Sequence, residues 1–121
     1  MVKEITTLQE FATFISEPSS TVIIDFWAEW CGPCMRIAPF FSELETKYPN
    51  VRFYKINTDL PDIAEVLIAC NINAMPSFCL FVDGKISEKL VGASQEKLEN
   101  VIKKFNPKNR DVKICTPDIM S

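Results

Sequence analysis

Cys31 and Cys34, in the run Trp30-Cys31-Gly32-Pro33-Cys34, are the side chains here best suited to chemistry, because two thiols at that spacing can make a reversible disulfide. The residues around them set how readily they react. First-turn N–H groups of a helix lack intrahelical partners and, with the helix dipole, favour a nearby anion. A cysteine at that point has its thiolate stabilised, as in known Cys-X-X-Cys proteins, so Cys31 is the better nucleophile near neutral pH. Pro33 suits a first helical turn, where its missing N–H costs little. Cys34 then falls one turn along on the same face, within reach of the first sulfur. Such a short ring crosslinks nothing distant, so its use is chemical. Upstream, Asp25 interrupts an apolar run, where burial of an unpaired carboxylate raises its pKa. The alternative for Asp25 is an alternation residue facing solvent. The chain has no histidine, which excludes a Cys-His dyad and any histidine metal ligand.

The elements that position these groups can be read from pattern. Thr21 to Trp27 is rich in β-branched and aromatic residues and predicts a buried strand. Cys34 to Tyr48 carries Met35, Ile37, Ala38, Phe41 and Leu44 at helical spacing, so the cysteines sit where a strand gives way to a helix. Val2 to Ile5 predicts a short first strand. Thr7-Leu8-Gln9-Glu10 is a capping box opening a helix to about Ser16. Val51 to Asn57 alternates as a strand covered on both faces, and Pro61 starts a helix to about Ala69. Ser77 to Val82 and Ile86 to Val91 flank Asp83-Gly84, a hairpin signal. Ser94 caps a last helix that reaches Phe105 and is stopped by Pro107. Strands alternating with helices, then a hairpin, imply an α/β mixed sheet with helices on both faces.

Composition narrows the function further. The 121 residues suit one domain with its own core. A net charge of −3 with scattered basic residues gives no footprint for nucleic acid, and no apolar run has membrane-spanning length. Five cysteines without a signal-peptide pattern at Met1-Val2-Lys3-Glu4-Ile5 point to a reducing, cytoplasmic setting.

The segment Trp27-Ala28-Glu29-Trp30-Cys31-Gly32-Pro33-Cys34 resembles the active site of the thioredoxin family. Asp25, Pro39, Lys55, Met75-Pro76, Asp83-Gly84 and Val91-Gly92-Ala93 follow that family's pattern in order, over about residues 1 to 105. The resemblance implies the thioredoxin fold, a central mixed sheet of about five strands flanked by about four helices. It implies a protein-disulfide reductase and electron carrier that contributes to cell redox homeostasis. Cys31 would attack a client disulfide and Cys34 would resolve the mixed disulfide, leaving a Cys31–Cys34 disulfide. Gly32 and Pro33 would tune its potential. Asp25 would deprotonate Cys34 through water, with the Lys55 ammonium tempering Asp25. Read alone, Lys55 could equally snorkel to the surface. Met75-Pro76 would be a cis peptide presenting the Met75 backbone to an extended client segment, with Gly92 completing the groove and Trp30 forming an apolar wall beside Cys31. From the residues alone, Pro76 is a turn or strand-entry proline, and Trp27 is core packing. The family relation also implies a monomer without bound cofactor. Electrons would come from NADPH through a flavin-dependent thioredoxin reductase, and clients would be peroxiredoxins, ribonucleotide reductase or methionine sulfoxide reductases.

Two positions depart from the family pattern. Met35 stands where lysine is common, with Arg36 next, and Ala74 stands where vertebrate cytosolic members carry a regulatory cysteine. Cys70 and Cys79 read as buried small hydrophobes, and a zinc site lacks a second close-spaced pair. Residues 1–106 form the expected domain, and 107–121, which include Cys115, a frayed extension or one in which Val112, Ile114 and Cys115 pack on the domain or form an intermolecular disulfide. Two other functions use the same residues: an oxidase or isomerase of this fold, against which Gly32-Pro33 argues, and a redox-gated binding module.

Overall fold

The computed structural model describes residues 2–107; Cys115 and the expected extension over 108–121 lie outside them. Five strands form one sheet in the order β1-β3-β2-β4-β5. The strands are β1 (Lys3–Glu4), β2 (Thr21–Trp27), β3 (Arg52–Asn57), β4 (Ser77–Val82) and β5 (Lys85–Val91). The first three are parallel, β4 runs antiparallel to them, and β5, antiparallel to β4, runs in their direction again. The helices are α1 (Leu8–Ile15), α2 (Gly32–Lys47), α3 (Ala64–Ala69) and α4 (Gln95–Phe105). A 3₁₀ turn at Pro61–Ile63 precedes α3, so the single helix expected there is split in two.

Local chemistry accounts for the boundaries. Thr7 accepts from Glu10 N–H, but the Glu10 carboxylate reaches back to Thr6 N–H instead of Thr7, a capping box displaced by one residue. Ser94 caps α4 by accepting from Lys97 N–H. Between β4 and β5, Asp83 and Gly84 both have positive φ, 52° and 82°, as a tight two-residue hairpin turn needs.

Alternation along the strands divides the core between the two faces of the sheet. Ile23, Phe53, Phe78 and Leu80 pack against Ile37, Phe41 and Leu44 of α2 and Leu98 and Ile102 of α4. Val22, Ile24, Phe26, Ile56, Cys79 and Phe81 pack on the other face against Phe11 of α1 and Ile63, Val66 and Cys70 around α3. Strand β2 is central, and all but its last residue are buried. Its odd-numbered residues face α2, which directs Asp25 toward that helix.

Candidate redox site

The site forms where the central strand meets the helix that follows it. Strand β2 ends at Trp27, the chain turns through Ala28 to Trp30, and α2 begins at Gly32 with Cys31 as its N-cap. Cys34 N–H points at Cys31 Sγ at 3.2 Å, so an orphan donor of the first turn is aimed at that sulfur. Pro33, within that turn, has no N–H to leave unpaired. Cys31 and Cys34 are joined in a disulfide, with Cα atoms 5.3 Å apart. Both are buried, Cys31 at 5% exposure and Cys34 at 1%. The edge left open belongs to Cys31.

Sheet topology brings the remaining residues to the same place. Because β4 is antiparallel to β2, its first residue, Ser77, lies opposite Phe26 near the end of β2. The preceding Met75-Pro76 peptide, which is cis, therefore abuts the cysteines, and Met75 packs against Ala28, Cys31 and Cys34 with Trp27. Gly92 follows the paired end of β5, and its N–H donates to Pro76 O at 2.9 Å. Its φ of 107° is a conformation that side chains disfavour, and nothing lies within 4 Å of where a Cβ would stand. The backbone at Gly92 is thus left uncovered beside the Met75-Pro76 peptide. Trp30, 68% exposed, stands at its rim.

Behind the disulfide lies a cavity of about 90 Å³ lined by Asp25, Trp27, Cys34, Met35, Ala38 and Lys55. Asp25 is 3% exposed, and its Oδ1 has no hydrogen-bond partner. Burial pushes its pKa up to about 7, opposed by the Lys55 ammonium across the strand pair. Lys55 Nζ lies 5.6 Å from the centre of the Trp27 ring. A carboxyl that titrates near neutrality, unpartnered and facing a space shared with Cys34, can exchange a proton with that thiol. A water takes about 30 Å³ of liquid volume, so the cavity has room for one as a relay.

Sequence reasoning missed two parts of this arrangement. Trp27 is only half buried and lines the Asp25 cavity, with its Nε1 buried and unpartnered, so it is more than core filling. Asp59 was not anticipated: its Oδ2 accepts from Trp30 Nε1 at 3.0 Å, fixing the exposed ring. The sequence signal for it was Asn57-Thr58-Asp59, an Asx turn in which Asn57 Oδ1 accepts from Asp59 N–H at 2.9 Å. Among the described residues, no group of three histidine, cysteine, aspartate or glutamate side chains could hold a metal ion. No described helix is long and apolar enough to cross a membrane.

A buried, reversible disulfide capping a helix, with a titratable carboxyl behind it and open backbone beside it, defines a thiol–disulfide oxidoreductase. The thioredoxin family model matches residues 2–104. Thioredoxin 1 of Plasmodium falciparum is 41% identical over 105 residues, 87% of this chain and 98% of that protein. The thioredoxin-like protein R548 of Acanthamoeba polyphaga mimivirus is 45% identical over 84% of this chain and 74% of its own length. Among solved structures, oxidised mitochondrial thioredoxin 3 from Saccharomyces cerevisiae superposes with a TM-score of 0.79 at 36% identity, covering 86% of this chain and 95% of that one. This chain belongs to the thioredoxin family. Its activity is protein-disulfide reduction by dithiol–disulfide exchange through Cys31 and Cys34.

Proposed function

We propose that the Cys31 thiolate attacks one sulfur of a client disulfide, breaking that bond and releasing the other client sulfur as a thiol. Cys34 then gives its proton to Asp25 through water and attacks Cys31 Sγ. The mixed disulfide breaks, the second client thiol leaves with the returned proton, and two electrons have passed to the client. Lys55 holds the Asp25 pKa near the working pH; without that ammonium, burial would push it higher. The client lies extended along Met75-Pro76 and Gly92, with Trp30 against its apolar side chains, while Gly32 and Pro33 set the potential of the pair. The observation that carries this reading is the buried Asp25, unpartnered and opening onto one cavity with Cys34.

The oxidised pair is returned to the dithiol by a flavin- and NADPH-dependent thioredoxin reductase, which makes the protein a carrier in an electron-transport chain. Its clients are enzymes left with a disulfide after turnover, such as peroxiredoxins, ribonucleotide reductase and methionine sulfoxide reductases. It acts as a monomer in the cytoplasm. Support for a reducing compartment comes from Cys70 and Cys79, which lie in one core cluster as free thiols. The test is coupled NADPH consumption with a thioredoxin reductase and insulin, for wild type and Cys31→Ser. Wild-type turnover abolished by the substitution supports the reading. A pair that cycles chemically but takes no electrons from the reductase contradicts this electron source.

A further inference from the structure

Cys70 and Cys79 take no part in the exchange just described, yet the fold brings them together. Cys70 caps the C-terminus of α3, and Cys79 lies mid-strand in β4 with its side chain on the α3 face. They are the free cysteines among the described residues, and both are buried in one core cluster. Lys89 sits directly opposite Cys79 in β5 and donates through Nζ to the carbonyl of Asn71, the residue after Cys70. Two thiols and an ammonium therefore meet at the edge of the core.

The two sulfurs are not equivalent. Cys79 is fully buried, whereas Cys70 keeps 4% exposure beside the exposed Ala69 and Asn71. The neighbouring Cys79 thiol holds the Cys70 thiol below the ordinary range, with help from the Lys89 ammonium and against the effect of burial. The same contact, together with burial, pushes the Cys79 thiol up. That is the polarity of a nucleophilic thiol paired with a resolving one.

We propose that Cys70 and Cys79 form a second redox centre that a small hydroperoxide oxidises to an intramolecular disulfide. The Cys70 thiolate attacks one peroxide oxygen, the O–O bond breaks, and water or an alcohol leaves as Cys70 becomes a sulfenic acid. Cys79 then attacks the Cys70 sulfur and expels water, which carries away the Cys79 proton. In sum, two thiols and one hydroperoxide give one disulfide, one alcohol or water, and one further water. The new bond would tie α3 to β4 around residues 71–78, the segment that carries Met75-Pro76 against the Cys31–Cys34 disulfide.

The test uses the full chain carrying Cys31→Ser, Cys34→Ser and Cys115→Ser, so that Cys70 and Cys79 are its only thiols. The protein is treated with hydrogen peroxide under native conditions, then unfolded, alkylated and weighed intact. The expected product has lost two hydrogens, takes up no alkylating agent until it is reduced, and yields a crosslinked Cys70–Cys79 peptide. Fully reduced wild-type protein, treated alike, should yield the same peptide alongside the Cys31–Cys34 disulfide, which covers a variant that folds poorly. Two alkylated thiols after treatment, higher oxygen adducts on Cys70 without a crosslink, or a crosslink seen only in denaturant would overturn the proposal. None of these readouts depends on reductase activity.

Discussion

In the proposed mechanism, Asp25 is the residue on which both the rate and the pH dependence of the protein turn. Because burial raises its pKa to about 7, resolution of the mixed disulfide should quicken as pH rises through that value. In single-turnover kinetics, Asp25→Asn should lose this inflection and slow resolution by about a hundredfold, the low end for a positioned base. An unchanged rate across pH 6–8 would remove Asp25 from the mechanism. The same shift has a cost for stability, with a definite sign. Below pH 3.8 the carboxyl is protonated whether the chain is folded or not; between 3.8 and about 7 only the folded protein keeps the proton. Rising pH therefore withdraws stability across that window. In the disulfide form, Asp25→Asn should gain little stability over wild type at pH 3 and on the order of 4 kcal/mol at pH 8, measured by denaturant unfolding. At this scale the sequence was legible for the cysteines and for Asp25, because each breaks the chemistry of its surroundings. The Asn57-Thr58-Asp59 turn is a local signal, but its meeting with Trp30 and the cavity-lining part of Trp27 were not legible, since they depend on where β3 and β2 end relative to each other in space.

At the scale of elements, α2 does two things: it offers its first-turn N–H groups to Cys31, and it anchors that end to the sheet. The anchor is Phe41, 2% exposed, whose ring meets Phe53 at 5.1 Å and Phe78 at 5.5 Å between centroids. Phe41→Ala should cost about 3–5 kcal/mol in urea unfolding. A loss below 1 kcal/mol would mean that α2 is held elsewhere. Ser94, which caps α4, is a smaller contributor, and Ser94→Ala should cost about 1 kcal/mol in the same measurement. Helix caps, strand alternation and the Asp83-Gly84 turn were readable because each is a local rule with a local residue. The split of the helix after Pro61 was not, since the continuous pattern from Pro61 to Ala69 does not reveal a 3₁₀ entry. The cis Met75-Pro76 peptide followed only from the family resemblance; local energetics favours trans.

At the scale of the molecule, the site is a product of topology. An antiparallel β4 beside the central parallel β2 carries the start of one strand to the end of the other, and so brings residues from positions 25 to 92 around one disulfide. The proposed order of reaction then rests on burial, with Cys31 at the open edge and Cys34 enclosed behind it. The most direct test is to mix reduced Cys34→Ser and Cys31→Ser proteins separately with a protein disulfide and weigh the products under non-reducing conditions. Cys34→Ser should accumulate a mixed disulfide to the client through Cys31, while Cys31→Ser should accumulate none through Cys34. A stable adduct through Cys34, or none in either variant, would contradict Cys31 as the nucleophile and the exchange mechanism built on it.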